Sequence, residues 1–391
     1  MEIKNHEFLK KENQSLVLEI IINQGPISRA DIAKQTKMSP TSASRIVASL
    51  LDMALIKKVD IISNNGLGRK ATYFVPNEDS VISVGVEIDS FHLRIGFMNF
   101  VGEIVVKAFY DHNNIDPQQT VNFISEKIQL LLQEEGIDAD RIVGVCVGLP
   151  GLIQQTSGVV KLSAQLNWKQ VHLGEMLEKK LGMPVVVDND LKVKALAEYK
   201  LTSKAEDNNM VMIGLGNGVG SVLITNGEIY RGEGNFAGEI GHTTVDPYGV
   251  YCSCGKLGCL QTYIAEPFLL DAAAKVKPGI QSMEELVEEY EKGAQWAENI
   301  IEKAVTYAAI TINNTVCIYS PDKVVLSGSL IENYPAIRKR LLEKYSSNIW
   351  YPVKDTFELL TTKTENYGVV KGAASSIQQE FVKNIKFNGE I

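Results

Sequence analysis

Apolar residues in the amino-terminal part of the chain recur at the spacing of an α-helix. A first helix is predicted to end near Gly25-Pro26, where the pattern breaks. Ser28 is a typical N-cap for a second helix, and Ser39 followed by Pro40 begins a third that runs to about Leu51. The apolar positions of the three helices are Leu16, Val17, Ile20 and Ile21, then Ile32 and Ala33, then Ile46, Val47 and Leu50. Three short helices in this order predict a helix-turn-helix whose third helix enters the major groove of DNA.

Two predicted strands follow the third helix, at 55–59 and 71–75, with a polar, glycine-containing loop between them. A hairpin in this position is the wing of a winged helix-turn-helix, and its loop carries two basic residues. The exposed face of the third helix is small and polar with one arginine. The predicted DNA-binding residues are Ser39, Thr41, Ser42, Ser44, Arg45, Arg69 and Lys70. A bundle of three helices that contacts proteins instead of DNA is the alternative.

From residue 81 onward the pattern changes to short strands with helices between them. The first meander of three predicted strands covers 81–88, 93–99 and 104–109, and the second covers 210–215, 221–225 and 228–230. Each meander is followed by helices and further strands. Two halves in the same order predict duplicated α/β lobes with a cleft between them. The predicted domains are residues 1–76, residues 80–200 completed by a helix at 367–380, and residues 208–366.

The charge balance separates the predicted head, residues 1–76, from the rest of the chain. Residues 1–75 carry 11 basic and 7 acidic side chains, whereas the chain of 391 residues has a net charge of −8. A basic head on an acidic body predicts that only the head meets phosphate groups. No apolar run has the length of a membrane span, and no signal peptide opens the chain, so we expect a cytoplasmic protein in a reducing compartment.

Three of the five cysteines lie within eight positions, downstream of a histidine. The four residues are His242, Cys252, Cys254 and Cys259. One imidazole and three thiolates form a complete tetrahedral set for a structural zinc ion. A disulfide or a chance cluster is the alternative, although a reducing compartment argues against the disulfide. The other two cysteines, Cys146 and Cys317, lie in apolar runs and are predicted to be buried thiols.

Other polar motifs follow buried strands, where α/β sheets bind ligands. Residues 148–151, Gly-Leu-Pro-Gly, follow one strand, Asn189-Asp190 follows the next, and Asn167-Trp168 lies in a loop. Amides and carboxylates bind the hydroxyl groups of sugars, and tryptophan stacks on a sugar face. Each residue taken singly also fits a role as a helix cap or in the core. Asp190 in particular fits the N-cap of the helix that follows it.

Two segments resemble the signature of the ROK family of repressors and kinases. They are residues 238–242, Gly-Glu-Ile-Gly-His, and residues 252–259, Cys-Ser-Cys-Gly-Lys-Leu-Gly-Cys. With its winged head, the chain resembles the repressor branch, the xylose- and N-acetylglucosamine-type regulators. The resemblance implies a two-lobed actin-like, hexokinase-type α/β domain, a structural zinc ion on the four residues above, and a sugar in the cleft. By position, the implied sugar contacts are Asn167, Asn189, Asp190, Glu239 and His242. Gln261 stands where the family has glutamate; its amide still bonds a hydroxyl group, so we include it among the predicted sugar contacts.

A kinase of this family uses Asp190 as general base and two glycine-rich loops around the phosphates of ATP. The second loop is kept at residues 214–220, but the first, usually Asp-x-Gly-Gly-Thr, reads Asp-Ser-Phe-His-Leu at residues 89–93. Phe91 and His92 obstruct the close approach of backbone to phosphate that glycine permits. We therefore predict no phosphotransfer and no catalytic residues, with Asp190 kept as an acceptor for a sugar hydroxyl group.

The sequence thus predicts a sugar-responsive transcriptional repressor that binds operator DNA. Paired heads predict a homodimer or a tetramer, with half-sites roughly 34–36 Å apart. The predicted effector is a sugar in the cleft, with xylose expected first and glucose or N-acetylglucosamine next. Two alternatives stay open: an ATP-dependent sugar kinase with a DNA-binding head, and a zinc-stabilised interaction protein that does not bind DNA.

Overall fold

The amino-terminal part of the chain forms three helices and a small antiparallel sheet. The structure is a computed structural model that describes residues 6–60, 72–112, 116–203 and 209–385. The elements of the head are α1 His6–Gln24, β1 Ile27–Ser28, α2 Arg29–Thr36, α3 Pro40–Asp52, β2 Ile56–Asp60 and β3 Thr72–Pro76. The strands pair in the order β1-β3-β2. This arrangement is the predicted winged helix-turn-helix, with β1 as a strand that the sequence did not indicate.

Serine side chains begin the second and third helices, as predicted. The Oγ of Ser28 accepts a hydrogen bond from the Asp31 amide at 3.2 Å, and the Oγ of Ser39 accepts one from the Ser42 amide at 3.1 Å. In α1 the prediction for Leu16 was wrong, because this side chain is 40% exposed. Burial follows positions 14, 17, 18 and 21, which is the i, i+3, i+4, i+7 stripe of one helix face.

A five-stranded sheet begins the body of the chain. Its elements and those packed beside it are β4 Ile82–Ile88, β5 His92–Asn99, β6 Ile104–Asp111, α4 Pro117–Glu134, β7 Ile142–Leu149, β8 Leu152–Gln154, β9 Val159–Ser163, β10 Trp168–Val171, α5 Leu173–Leu181, β11 Val185–Asn189 and α6 Asp190–Thr202. The large sheet has the order β11-β7-β4-β5-β6, and β8, β9 and β10 form a separate three-stranded sheet. In the large sheet β4, β5 and β6 are antiparallel neighbours, whereas β7 and β11 run parallel to β4.

A second five-stranded sheet repeats this topology. Its unit contains β12 Asn209–Leu215, β13 Val219–Thr225, β14 Glu228–Ile229, α7 Gln261–Ile264, α8 Glu266–Val276, α9 Met283–Glu291, α10 Gln295–Tyr319, β15 Lys323–Ser327, α11 Ser329–Glu332, α12 Pro335–Asn348 and β16 Glu358–Thr361. The sheet order is β14-β13-β12-β15-β16, again an antiparallel meander extended by two parallel strands. The predicted duplication of an α/β lobe is therefore present in the fold.

The backbone contacts divide the chain into two units. Unit 1 comprises residues 1–193 and 367–391, and unit 2 comprises residues 194–366. The last helix, α13 Gly368–Asn384, belongs to unit 1 although it follows unit 2 along the chain. No helix in the described ranges is both long enough and apolar enough to span a membrane.

Helix α13 lies on glycine positions of the first large sheet. A Cβ added to Gly85 of β4 would lie 2.0 Å from the Val370 carbonyl oxygen, so only glycine permits this approach. At its other end α13 enters the core of the head, where Val382 packs with residues of α1 and α3. The Oγ of Ser15 in α1 also donates a hydrogen bond to the Val382 carbonyl oxygen at 2.9 Å. One helix thus packs on both the first large sheet and the head.

Two predictions about single side chains are wrong. Trp168 is only 2% exposed and belongs to the core of unit 1, so its ring is not available to stack on a sugar. Cys317 is exposed, because it lies on the outer face of α10, whereas Val316 beside it faces the core. Cys146 is fully buried, as predicted.

Candidate functional site

The exposed face of α3 is the candidate DNA-binding surface. Thr41 and Arg45 are exposed, and Ser42 and Ser44 are half-buried on the same helix. Ser39 is exposed, but its hydroxyl already binds the Ser42 amide and donates to the Ser42 hydroxyl at 2.9 Å. Arg69 and Lys70 lie outside the described residues.

Two lysines that the sequence analysis did not single out lie close to α3 along the chain. Lys34 is exposed near the end of α2, and Lys37 is exposed in the turn before α3. Lys37 ends α2 in the left-handed conformation, with φ of 57°. Exposed lysines beside a recognition helix are suited to phosphate contacts that position a protein on DNA. Their charge was visible in the sequence, but only the turn geometry places them next to the helix start.

The metal-ligand residues of unit 2 converge as the sequence predicted. Cys252 Sγ lies 3.7 Å from His242 Nδ1, and Cys254 Sγ lies 3.6 Å from Cys259 Sγ. The four candidate ligand atoms all lie within 4.8 Å of one another. Cys252 and Cys259 are buried, His242 is half-buried and Cys254 is exposed. This group could hold a metal ion close to the surface of unit 2.

Tight backbone turns bring the three sulfur atoms together. The Cys252 amide donates to the Lys256 carbonyl oxygen at 2.8 Å, which folds the Cys-Ser-Cys-Gly segment back on itself. Gly258 has φ of 63°, and a Cβ at this position would lie 1.5 Å from the Asp246 carbonyl oxygen. Glycine is therefore required there, and it delivers Cys259 next to Cys254.

The thiols of this group form hydrogen bonds with one another and with Gln261. Burial, with hydrogen bonds from the neighbouring thiols, raises the pKa of the Cys259 thiol to about 12. A thiol with such a pKa keeps its proton at neutral pH unless a metal ion displaces it. The Nε2 of Gln261 also donates a hydrogen bond to Cys252 Sγ at 3.1 Å. An amide donor stabilises a negative charge on that sulfur, so the structure uses Gln261 beside the metal ligands.

The predicted sugar residues of unit 1 lie at the carboxyl end of β11 and before β10. The Oδ1 of Asn189 accepts a hydrogen bond from the Lys192 amide at 3.1 Å, and its Nδ2 donates to the Gly151 carbonyl oxygen at 3.3 Å. Asn189, and not Asp190, therefore caps α6, because its side chain reaches the amide three residues ahead. Asp190 Oδ1 accepts a hydrogen bond from the Leu191 amide at 2.8 Å. Asn167 is exposed and has φ of 54°.

The loop that carries Asn167 is tied to the turn between β4 and β5. Ser90 Oγ donates a hydrogen bond to the Gln165 carbonyl oxygen at 2.8 Å. The turn itself is built by Asp89, whose Oδ1 accepts from the amides of Phe91 and His92 at 2.7 and 2.8 Å. The loop of Asn167 and the altered first loop thus belong to one connected part of unit 1.

The other predicted sugar residues lie in unit 2, in and near the metal-ligand segment. Glu239 is exposed and precedes the short helical turn Ile240–His242, while His242 and Gln261 contact Cys252 as described above. The sequence therefore divides the expected sugar contacts equally between unit 1 and unit 2. That these six residues bind a sugar stays a prediction.

Gly216, in the loop of residues 214–220, has a packing role. A Cβ at Gly216 would lie 2.4 Å from Ser329 Oγ and 3.1 Å from the Ser329 amide nitrogen. A Cβ at Gly328, whose φ is 97°, would lie 2.3 Å from the Leu215 carbonyl oxygen. The hairpin between β12 and β13 therefore needs glycine to pack against the start of α11, whatever it binds.

Comparisons with known proteins agree with this architecture. The ROK family model matches residues 83–380, and the MarR family model matches residues 11–61. The xylose repressor of Bacillus spizizenii is 25% identical over 386 residues, which cover 99% of this chain and 100% of that protein. The DNA-binding transcriptional dual regulator NagC of Escherichia coli is 26% identical over 340 residues, 85% of this chain and 84% of that protein.

A solved structure shows the same fold over almost the whole chain. The ROK family transcriptional regulator described as a homolog of the E. coli MLC protein superposes with a TM-score of 0.82 at 24% identity, covering 96% of this chain and 97% of its own. The duplicated sheets, the metal-ligand segment and the match over residues 83–380 lead to one assignment. This protein belongs to the ROK family, and a winged helix-turn-helix precedes its ROK domain.

Proposed function

We propose that this protein is a sugar-responsive transcriptional repressor that binds operator DNA as a dimer. The observation that carries the proposal is the exposed face of α3, with Thr41 and Arg45, on a head that shares its core with a helix of the ROK domain. A xylose repressor and NagC, both similar to this chain over most of its length, support a regulator of sugar-related genes. A helix with small polar residues and one arginine can read base edges in the major groove.

The polar side chains at the carboxyl edge of the unit 1 sheet support a sugar as the effector. Asn189 and Asp190 end a parallel strand, the position at which α/β sheets bind ligands. Asn167 adds an exposed amide from the loop tied to Ser90. Amides and carboxylates bind the hydroxyl pairs of a sugar. We expect xylose first and glucose or N-acetylglucosamine next.

Helix α13 is the route by which sugar would act on the head. Near the start of α13, Val369 packs closely on Gly148. A Cβ added to Gly148 would lie 2.7 Å from Val369 Cγ1. Gly148 pairs with Asp188, one residue before Asn189. Near its end, Val382 and Ile385 belong to the core of the head. A movement at the sugar edge therefore reaches the head through one rigid helix, about 25 Å long by its 17 residues.

Zinc is the ion that we propose for the His242 and cysteine group. In a tetrahedron with metal–sulfur bonds of about 2.3 Å, ligand atoms are separated by about 3.8 Å. The separations of 3.6 Å between two sulfurs and 3.7 Å between sulfur and nitrogen support this geometry. Three thiolates and one imidazole also favour zinc over hard cations. A reducing cytoplasm, the compartment that we infer, would keep the thiols available to the metal.

We infer that the protein does not transfer phosphate, although the ROK family includes kinases. Phe91 stands where kinases of the family have a glycine, and its side chain is 66% exposed. The turn is closed by Asp89, which accepts the backbone amides that a phosphate-binding loop would offer to its ligand. Gly216, one of the glycines at residues 214–220, is explained by its packing on Ser329 without ATP.

The experiment is a fluorescence anisotropy titration of the full chain with DNA from upstream of its own gene. We expect site-selective binding that weakens as salt rises and that changes when one of the three sugars is added. Arg45→Ala should weaken binding about tenfold or more. Lys169→Ala, which removes one charge from an exposed position of the ROK domain, is the control and should bind normally. Turnover of ATP with a sugar, or no site-selective complex, contradicts the proposal.

A further inference from the structure

The turn that joins β4 to β5 carries exposed aromatic rings in unit 1. Phe91 in this turn is 66% exposed, and Phe109 in β6 is 50% exposed. His92 lies between them, because its ring centroid is 6.2 Å from that of Phe91 and 5.3 Å from that of Phe109. We call these three rings the aromatic patch. Single exposed apolar side chains are normal on a protein surface, but contiguous ones mark a binding surface.

Charged side chains border the aromatic patch. The Arg94 guanidinium lies over the Phe109 ring, 5.3 Å from its centroid, and Arg94 Nη1 lies 3.4 Å from Glu87 Oε2 and 3.8 Å from Asp89 Oδ2. Two carboxylates beside one guanidinium do not attract a polyanion such as DNA or ATP. Rings beside charged groups are suited to a carbohydrate, because its apolar face can lie on a ring while its hydroxyl groups bind the charged side chains.

The backbone of Phe91 is held from both sides before any ligand binds. On one side, its amide donates to Asp89 Oδ1 at 2.7 Å. On the other side, its carbonyl oxygen accepts the His112 amide at 2.6 Å. The His112 side chain is buried and stacks on Phe123, with ring centroids 5.8 Å apart. A ligand at the aromatic patch therefore orders only side chains and not the turn, which keeps the entropy loss on binding small.

The aromatic patch continues the surface on which the proposed sugar residues of unit 1 lie. Ser90, next to Phe91, is bonded to the loop of Asn167 through the Gln165 carbonyl oxygen at 2.8 Å. Strands β4, β7 and β11 are parallel neighbours, so the β4–β5 turn and Asn189 lie at the same edge of the sheet. Two strand spacings separate β4 from β11, which is about 10 Å. One sugar ring does not span this distance, whereas two linked rings do.

We propose that the aromatic patch is a subsite for a second ring of the effector, and that Phe91 selects a disaccharide or another glycoside over the free sugar. The first ring binds Asn167, Asn189 and Asp190, and the glycosidic bond directs the second ring toward Phe91. The side chain that obstructs a phosphate group in this turn thus offers its face to a sugar. The inference rests on the proposed function, because the first ring occupies the sugar site proposed there.

The test is calorimetric titration of the full chain with free sugars and with disaccharides built from them. The free sugars are xylose, glucose and N-acetylglucosamine, and the disaccharides are xylobiose, cellobiose, maltose and diacetylchitobiose. The measured quantity is the ratio between the Kd of a free sugar and the Kd of its disaccharide. For one of these pairs we expect a ratio of about ten, because the second ring adds a stacking contact and buries an exposed aromatic side chain.

Variants of Phe91 assign this ratio to the aromatic patch. Phe91→Ala should lower the ratio to about one, and Phe91→Tyr, which keeps an aromatic ring, should leave it near ten. Tyr351→Ala is the matched control, because Tyr351 is 87% exposed but belongs to unit 2. It should give the ratio of the wild type. Circular dichroism of all three variants should equal that of the wild type, since the replaced side chains are largely exposed.

The outcomes separate this inference from the proposed function. Binding of a free sugar with no preference for its disaccharide overturns the inference and leaves the sugar effector standing. A preference that Phe91→Ala retains overturns it as well. If Phe91→Ala keeps the ratio but changes the molar mass in sedimentation, the aromatic patch is a protein contact and the inference fails. If no free sugar and no disaccharide binds, the proposed sugar effector fails first, and this inference fails with it.

Discussion

The two exposed cysteines of unit 2 provide a matched pair for the metal proposal. Cys254 lies 3.6 Å from Cys259, whereas Cys317 lies on the outer face of α10 away from the His242 group. We expect Cys254→Ser to lose bound zinc and Cys317→Ser to retain it, as measured by metal analysis of the purified chains. Loss of a metal present at about a hundredfold over its Kd removes roughly 3 kcal/mol of unfolding free energy. Equal metal contents in the two variants would refute the ligand set.

The lowered pKa of Glu332 predicts that the stability of unit 2 depends on pH. Burial alone would raise its pKa, but the Lys194 ammonium, the Gly328 amide and the Ser327 hydroxyl outweigh burial and hold the pKa of Glu332 below its usual range. Lys194 Nζ lies 2.7 Å from Glu332 Oε1, and both side chains are mostly buried. A carboxyl group whose pKa is lowered by folding adds stability above its unfolded pKa, and this stability is lost as the pH falls through the folded value.

We therefore expect Glu332→Gln to cost roughly 3 kcal/mol at pH 7, because it leaves Lys194 without its charge partner. The difference from the wild type should begin to shrink below about pH 4.5, where glutamate in the unfolded chain becomes protonated, and should continue to shrink as the pH falls through the lower pKa of folded Glu332. Glu288→Gln is the control, since Glu288 and Lys292 are both exposed and should contribute less than about 0.5 kcal/mol. Urea unfolding at several pH values measures the unfolding free energies of both variants. A loss in Glu332→Gln that does not change with pH would contradict the role assigned to Glu332.

At the scale of single residues, spacing alone indicated that His242, Cys252, Cys254 and Cys259 come together, and the fold brings their candidate ligand atoms within 4.8 Å of one another. Spacing was not enough to predict the burial of Trp168 or the contact between Gln261 and Cys252. An amide can face a sugar or a sulfur, and only the fold places the Gln261 amide 3.1 Å from Cys252. The burial of Trp168 depends on β10, a strand of four residues that carries no clear alternation.

Helix α13 depends on glycine at the sheet below it. Gly85→Ala would place a methyl group 2.0 Å from a backbone oxygen of α13, and backbone cannot move aside without displacing the helix. We expect a loss of about 2 kcal/mol or more in unfolding free energy, because overpacking of this kind costs 1–3 kcal/mol. Gly218→Ala is the control, since no atom lies within 4 Å of the added Cβ. Urea unfolding midpoints compare the two variants, and equal midpoints would show that α13 accommodates the methyl group.

At the scale of elements, the strands and helices with strong periodicity or clear caps were predictable. The three head helices, both meanders and the long α10 are examples. Helices α5, α8 and α12 and the small sheet of β8, β9 and β10 were not predicted. These elements lie between the repeated motifs, and α5 and the three strands are short, so tertiary packing decides their conformation more than local pattern does.

At the scale of the molecule, the proposed coupling between sugar and DNA must act in both directions. If a bound sugar changes the affinity of the protein for operator DNA by a given factor, then bound operator DNA changes the affinity of the protein for that sugar by the same factor. We expect a factor of about 5–150. Calorimetric titration of the sugar, with and without a saturating operator duplex, measures it, and a duplex of unrelated sequence is the control. A sugar affinity that the operator duplex leaves unchanged would contradict the proposed regulation.

The placement of α13 also determines when the core of the head can be completed during translation. A ribosome releases the chain from the amino terminus, so the head leaves the exit tunnel long before Val382 and Ile385, which complete its core. All of unit 2 must be translated in between. A nascent chain therefore holds a head whose core lacks Val382 and Ile385 until α13 has emerged.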